Sequence, residues 1–213
     1  MLGGMWVLLL AAACTQRVDC AVTGLASDCE TLLPTEAGRV DWCHAEDLIA
    51  ADRYDARSPE VDAEIWTMKP DGSDATCISC LATELPGGIR GQPAWHPSCG
   101  FLVVQVESED NQGTLYETVA WGIHNELWLL AADGSWAEPL LDVEALEGAL
   151  HPQFSSDGGH LFWASRSSTS ETVPQLPGNP TPGRENPWEG WFLSHATFSR
   201  GADGPGELSA RVD

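Results

Sequence analysis

Basic residues are scarce in this 213-residue chain, which has 10 Lys and Arg against 32 Asp and Glu. The formal net charge of −22 leaves too little positive charge to neutralise a phosphate backbone, so nucleic acid binding is excluded as a function. The acidic excess is explained by solubility through net repulsion. The alternative is that it steers a cationic ligand, a peptide or a divalent metal.

Catalytic and cofactor motifs are also lacking. The chain has no GxSxG or HExxH motif, no phosphate-binding glycine loop and no dinucleotide fingerprint. Three of the six histidines lie beside an aromatic residue or a turn, where a structural hydrogen bond is the expected role. The sequence therefore predicts no catalysis, no cofactor and no metal site. The histidines are His44, His96, His124, His151, His160 and His195.

The apolar run at the N-terminus, Met5 to Ala13, is too short to cross a membrane and has the length of a secretory signal core. It ends in AAAC, which resembles the lipobox of bacterial lipoproteins and would make Cys14 the lipidated residue. We therefore predict a signal peptide (1–13), a cysteine-containing linker (14–39) and a folded domain (40–213). An ordinary secretory signal, or a first strand of the domain, is the alternative.

The rest of the chain repeats itself. EIWTMKPDGSDATCISCL at 64–81 and ELWLLAADGSWAEPLL at 126–141 each contain an alternating apolar run, an Asp-Gly turn and a second short run. A second unit recurs out of phase, with Trp42, Trp95 and Phe154 each preceding a tight turn and an apolar run. A third tryptophan segment begins at 189, so Trp66, Trp128 and Trp191 are 62 and 63 residues apart. Short strands recurring at this period predict about three four-stranded antiparallel blades.

These residues resemble the TolB-type, WD-repeat-like β-propeller family. The best copies are QPAWHPSCGFLVVQV and HPQFSSDGGHLFWAS, each followed later by a tryptophan strand, and the resemblance covers roughly residues 40–212. It implies an all-β, β-propeller-like fold, a cell-envelope setting and protein partners. The period is longer than the family's usual one, and about three blades make only a partial or open propeller. The ring cannot close from one copy.

Seven cysteines are present, and assigning Cys14 to a lipid leaves six as disulfide candidates. An even remainder in an exported chain favours disulfides. Cys77 and Cys80 have a CISC spacing on a predicted strand, where no helix N-terminus stabilises a thiolate, so a structural bridge is expected rather than redox catalysis. The pairing of the others stays open, and a local Cys20–Cys29 bridge is one of the alternatives. The candidates are Cys20, Cys29, Cys43, Cys77, Cys80 and Cys99.

The predicted connections between strands are unequal. In a four-stranded meander the first and third turns lie at one end of the sheet, and these turns are tight in the sequence. The second connections are long, at 56–62, 107–124 and 167–187, and long loops on a rigid scaffold commonly carry binding residues. The alternative is solvated loop polarity. The binding-face candidates are Glu107, Glu109, Asp110, Tyr116, Trp121, Glu144, Glu147 and Arg184.

Together these patterns predict an exported, lipid-anchored module of a bacterial periplasm or outer membrane that binds protein or peptide without catalysis. It would contact the membrane only through its lipid. The alternatives are an accessory or degenerate propeller of a peptidase or hydrolase system, or a truncated fragment of a longer propeller. Because three blades leave two open faces, self-association through those faces is also expected.

Overall fold

The computed structural model describes residues 37–54, 63–108, 122–144, 147–166, 190–201 and 205–212. The regular elements of these residues are all strands, and they form three separate four-stranded antiparallel sheets. This confirms the all-β prediction and the number of blades, in an open propeller-like arrangement. Among the described residues there is no helix long and apolar enough to cross a membrane. Residues 1–36, with Cys14, Cys20 and Cys29, lie outside the described part.

Each sheet is a meander in which consecutive strands are hydrogen-bonded neighbours. Sheet 1 contains β1 (Val40–Cys43), β2 (Leu48–Tyr54), β3 (Ala63–Met68) and β4 (Thr76–Cys77). Sheet 2 contains β5 (Arg90–Trp95), β6 (Phe101–Glu107), β7 (Asn125–Ala131) and β8 (Ala137–Leu141). Sheet 3 contains β9 (Gly148–Phe154), β10 (His160–Arg166), β11 (Trp191–Arg200) and β12 (Gly206–Val212).

Sheet 2 lies between the other two sheets and is buried on both faces. In β6, Leu102 and Val104 belong to an apolar cluster with sheet 1, whereas Val103 belongs to a cluster with sheet 3. Successive side chains of a strand point to opposite faces, so a continuous apolar run such as FLVV is suited to this position. The first cluster includes Ile65 of sheet 1, and the second includes Leu161 of sheet 3.

The three sheets can be superposed by their strand ladders. Trp42 pairs with Ile49, Trp95 with Leu102 and Phe154 with Leu161, which aligns the first two strands of each sheet. We call positions equivalent when they occupy the same place relative to these pairs. The sequence repeat centred on Trp42, Trp95 and Phe154 is thus a repeat of the fold.

The tryptophans of the third strands do not all follow this equivalence. Trp66, Trp128 and Trp191 lie on β3, β7 and β11, but Trp191 is not in the position of the other two. In sheet 3 the position of Trp66 and Trp128 is occupied by Ser194. The indole is on the cross-strand partner of Ser194, which is Trp163. Each equivalent pair therefore keeps one indole and one smaller side chain, which preserves volume. The pairs are Ala51–Trp66, Val104–Trp128 and Trp163–Ser194.

Burial of the predicted aromatic residues is uneven. Trp95 is 6 % exposed, but the equivalent Trp42 is 47 % exposed. Trp42 lies on the face of sheet 1 turned away from sheet 2, where no other described sheet packs. Among the tryptophans in the described ranges the most buried indole is that of Trp163, at 1 % exposed, which the repeat pattern did not identify.

The turns that the sequence marks with Asp-Gly form as expected. The Asp71 carboxylate accepts the backbone N–H of Ser73 at 2.9 Å, and Asp133 accepts that of Ser135 at 3.0 Å. Gly72 and Gly134 follow these aspartates with φ of 80° and 72°, which glycine adopts without a Cβ penalty. The turn hydrogen bonds hold the pKa values of both carboxyls below their usual range.

Two disulfides form in the described residues. Cys43, at the end of β1, bonds Cys99 in the turn between β5 and β6, with 5.8 Å between their Cα atoms. This bridge joins sheet 1 to sheet 2. Cys77 bonds Cys80 across the CISC loop, with 5.3 Å between Cα atoms. The prediction of structural disulfides is confirmed for these four cysteines.

Candidate functional site

The first strands of the three sheets, β1, β5 and β9, lie next to one another. β5 and β9 each contain a bulge, at Gln92-Pro93 and at His151-Pro152. Gln92 and His151 have φ of 53° and 54°, which is unusual for residues with a side chain and more so before proline. Backbone held in this region costs about 1–3 kcal/mol and is concentrated at functional sites. The first strands of the three sheets therefore form the candidate site.

The bulges are held by side chains of the preceding sheet. The Asp52 carboxylate on β2 accepts the backbone N–H of Gln92 at 3.1 Å and that of Arg39 at 2.6 Å. The Gln92 side-chain oxygen in turn accepts the backbone N–H of His151 at 2.6 Å. A bulge leaves an N–H outside its own ladder, and these acceptors satisfy it. We call Asp52, Gln92 and His151 the inner relay, which ends at the exposed His151 side chain.

The inner relay is buried up to its last member. Asp52 is 0 % and Gln92 3 % exposed, so both side chains are fixed by their hydrogen bonds. Asp41 adds a further link between sheets 1 and 2, because its carboxylate accepts the Trp95 N–H at 2.6 Å. The relay therefore positions β1, β5 and β9 relative to one another.

Positive charge is found at the open end of the relay. The His151 side chain is only partly exposed, and the loss of solvent around it lowers its pKa; the nearby Arg39 guanidinium lowers the pKa further. Within the described ranges no carboxylate forms an ion pair with the Arg39 guanidinium. In a chain of net charge −22, a guanidinium beside an imidazole can receive an anionic group such as a carboxylate.

A small cavity lies beneath the relay. Three amide side chains line it, together with Ile89 and Gly91, and they are those of Gln92, Gln105 and Asn125. The Gln92 amide nitrogen has no hydrogen-bond partner among the described residues. The cavity has room for no more than about one water molecule. It is too small for a substrate.

A second polar cluster lies at the CISC loop. Arg90 Nη1 lies 2.6 Å from Glu64 Oε1, and both side chains are largely buried. Ser79 Oγ accepts the Ile65 N–H at 2.8 Å and donates to Glu64. These contacts fix the loop against β3, so the cluster has a structural role.

The same cluster contains the one potential metal-ligand group within the described ranges. Glu64 and the two loop cysteines, Cys77 and Cys80, have ligand atoms within 4.8 Å of one another. The sulfurs are joined in a disulfide, and thiolates rather than disulfides ligate metals. Glu64 is already paired with Arg90. The donor set therefore does not fit a resident metal in this state.

The predicted binding-face residues are only partly described. Glu107 accepts the backbone N–H of Ile89 at 3.0 Å, and Glu147 accepts that of Glu144 at 3.2 Å. These carboxylates close the ends of loops rather than pointing freely outward. The structure does not bring Glu107 into the inner relay. Glu109, Asp110, Tyr116, Trp121 and Arg184 lie outside the described residues.

Two of the predicted histidines pack against aromatic rings, which is a structural role. His96 stacks on Phe101 with 4.5 Å between ring centroids and meets Phe154 edge-on at 5.1 Å. His195 stacks on Phe162 at 5.1 Å. Sequence reasoning did not identify Arg39, Asp52 or Gln92. The signal available was the polar residue before proline in GQPAW and LHPQF, three residues ahead of the aromatic.

No family model matches the chain. No curated protein matches it either.

Solved structures similar to the chain include the Pyrococcus horikoshii acylaminoacyl peptidase, at 13% identity and a TM-score of 0.42, covering 86% of this chain and 26% of that one. An acylaminoacyl peptidase in complex with Z-Gly-Gly-Phe-chloromethyl ketone is 9% identical, with a TM-score of 0.43 and coverage of 76% and 23%. The AtxE2 isopeptidase with Astexin3-dC4 bound is 14% identical, with a TM-score of 0.37 and coverage of 62% and 21%. The chain thus spans about a quarter or less of these proteins, and at these TM-scores the similarities assign no activity to it.

Proposed function

We propose that this chain is an exported, lipid-anchored and non-catalytic module of the TolB-type propeller kind, which binds a protein or peptide at the bacterial cell envelope. The observation that carries the proposal is the unequal length of the strand connections. Function on a repeat scaffold is expected where the loops are elaborated and the core is not.

The two ends of the sheets differ consistently. At one end every connection is short, and in three of the turns an Asp carboxylate accepts a backbone N–H two residues later. At the other end the connections within each sheet run across 55–62, 108–124 and 167–190. The short connections are 44–47, 69–75, 96–100, 132–136, 155–159 and 201–205. We assign the binding surface to the end with the long connections.

Two further features support an exported binding module. The disulfides Cys43–Cys99 and Cys77–Cys80 suit an oxidising compartment. The Arg39 guanidinium, beside the His151 imidazole, provides a positive point in an acidic chain, to which a carboxylate of a peptide or protein can bind.

Photo-crosslinking in cells tests the binding surface. A photo-reactive amino acid replaces Tyr116 or Trp121 in a long connection, and Asp133 in a short turn serves as the control. We expect one discrete crosslinked protein from the two loop positions and none from Asp133. Equal products from all three positions, or none from any, would refute the assignment of the surface.

Mass spectrometry tests the anchoring separately. Membrane-extracted protein is expected to begin at an acylated Cys14. An intact Met1 on protein that fractionates away from membranes would refute export and anchoring, and would leave the crosslinking result to be judged by itself.

A further inference from the structure

Large apolar side chains are exposed on the two outward faces of the sheet stack. On sheet 3, Phe162 is 37 % and Leu193 is 74 % exposed; on sheet 1, Val40 is 65 % and Trp42 is 47 % exposed. The strand ladders place the first two on the face of sheet 3 that is turned away from sheet 2. They place the other two on the corresponding outward face of sheet 1. Exposed apolar patches of this kind mark interaction surfaces.

The outward face of sheet 3 repeats a face that is buried twice inside the chain. Phe162 is equivalent to Val103 of sheet 2, since they pair with Gln153 and Ala94 respectively. In sheet 1 the same position is Ala50, and both Val103 and Ala50 are 0 % exposed because the next sheet covers them.

Leu193 follows the same rule. It pairs with Ala164, as Leu127 pairs with Gln105 and Ile65 with Asp52, so the three apolar residues are equivalent. Leu127 and Ile65 are 0 % exposed against the following sheet. Sheet 3 thus presents the surface that sheets 1 and 2 use to bind a next sheet.

The outward face of sheet 1 is the matching half. Trp42 and Ile49 are equivalent to Trp95 and Leu102, which pack against the preceding sheet and are 6 % and 0 % exposed. The inner relay runs in the same direction, from each sheet to the next. Asp52 of sheet 1 accepts an N–H from sheet 2, and Gln92 of sheet 2 accepts the His151 N–H of sheet 3.

We propose that two copies of this chain associate head to tail, with the outward face of sheet 3 of each copy packed on the outward face of sheet 1 of the other. The two faces are the same pair that already packs at both internal sheet interfaces, so a second copy supplies a surface of the required shape. Two copies give six sheets, which is within the range of four to eight for closed propellers. A heterologous contact that closes gives a ring rather than a filament.

Closure also completes the candidate site. Each copy contributes Arg39, Gln92 and His151 to one ring of inner strands, so the positive points of the two copies face a shared centre. The inference concerns assembly and does not depend on the proposed function.

The test is sedimentation velocity of the wild-type chain and of two face variants, Trp42→Asp and Leu193→Asp. The wild type is expected to be a dimer, and its dimer fraction should rise with salt, which screens the repulsion between two copies of charge −22. Each variant by itself is expected to be monomeric. Leu81→Asp is the matched control, because Leu81 is 55 % exposed but lies in the connection between β4 and β5.

Mixing the variants distinguishes head-to-tail from face-to-self contact. Trp42→Asp retains the sheet 3 face and Leu193→Asp retains the sheet 1 face, so an equimolar mixture should regain a dimer through one contact. Near-ultraviolet circular dichroism confirms that each variant is folded. A monomeric wild type, loss of the dimer in Leu81→Asp, no dimer in the mixture, or assemblies that grow beyond two copies would each overturn the proposal.

Discussion

Sheet 2 and sheet 3 carry the same pattern of apolar residues in different surroundings. Val103 and Leu127 of sheet 2 are fully buried, whereas the equivalent Phe162 and Leu193 of sheet 3 are exposed. The residue types are alike, so burial here is determined by whether another sheet follows. An apolar residue in a repeat therefore predicts a packing face, while its actual burial depends on a neighbour.

Removing the disulfide that joins sheets 1 and 2 should have the largest effect on the free energy of unfolding. A disulfide with a sequence separation of 56 is expected to contribute roughly 4 kcal/mol by restricting the unfolded chain. Cys43→Ala with Cys99→Ala should therefore lower the free energy of unfolding by about that amount in denaturant melts. The Cys77→Ala and Cys80→Ala pair is the control, because its short loop predicts only about 2 kcal/mol. Equal losses would contradict the loop-length argument.

The equivalent leucines give a direct test of the middle and terminal sheets. Leu127→Ala removes a fully buried side chain and is expected to destabilise by about 2–5 kcal/mol. Leu193→Ala, measured at a concentration where the chain is monomeric, is expected to change the free energy of unfolding by less than about 0.5 kcal/mol. If both variants lose the same stability, sheet 3 is covered by a segment of its own chain.

The inner relay offers a test of polar packing at the same interface. Gln92→Ala removes the acceptor of the His151 N–H and should cost about 1–3 kcal/mol, because a buried donor is left unsatisfied. Gln153→Ala, at an exposed position of β9, is the matched control and should be nearly neutral. The readout is again the denaturant midpoint. A neutral Gln92→Ala would show that a water replaces the amide.

Much of the fold follows from the sequence because its signals are local. The Asp-Gly turns, the alternating runs and the aromatic repeat predict the strands, since each depends on residues close in the chain. The position of Trp191 in its strand ladder could not be predicted from such local signals. Sheet 3 carries its indole on β10 at Trp163, and only the ladder shows that Ser194 occupies the place of Trp128.

The candidate site was harder to predict from the sequence, because its contacts join residues that are far apart in the chain. Asp52 acts on Gln92 forty residues away, and Gln92 acts on His151 fifty-nine residues away. Such contacts depend on how sheets pack, and no local spacing encodes them. The disulfide between Cys43 and Cys99 is similar, because its pairing follows from the meeting of two sheets.

The smallest expected effect concerns pH at the interface of sheets 2 and 3. His96 packs between Phe101 of sheet 2 and Phe154 of sheet 3, and burial lowers its pKa, although a hydrogen bond to the Gly158 backbone opposes this. Arg200 lies over the Phe101 ring with its guanidinium carbon 5.6 Å from the centroid, so a second positive charge is near.

Because the folded pKa of His96 lies below the unfolded value of about 6.5, the folded state binds fewer protons. The stability that His96 contributes is fully present above pH of about 6.5 and is lost as pH falls through that value toward the folded pKa. His151, whose pKa is also lowered, adds to the same loss. Denaturant melts between pH 8 and 5 should show a shallower loss in His96→Gln than in the wild type, with His151→Gln measured alongside to separate the two. An unchanged slope in His96→Gln would mean that protonated His96 is accommodated between the two sheets.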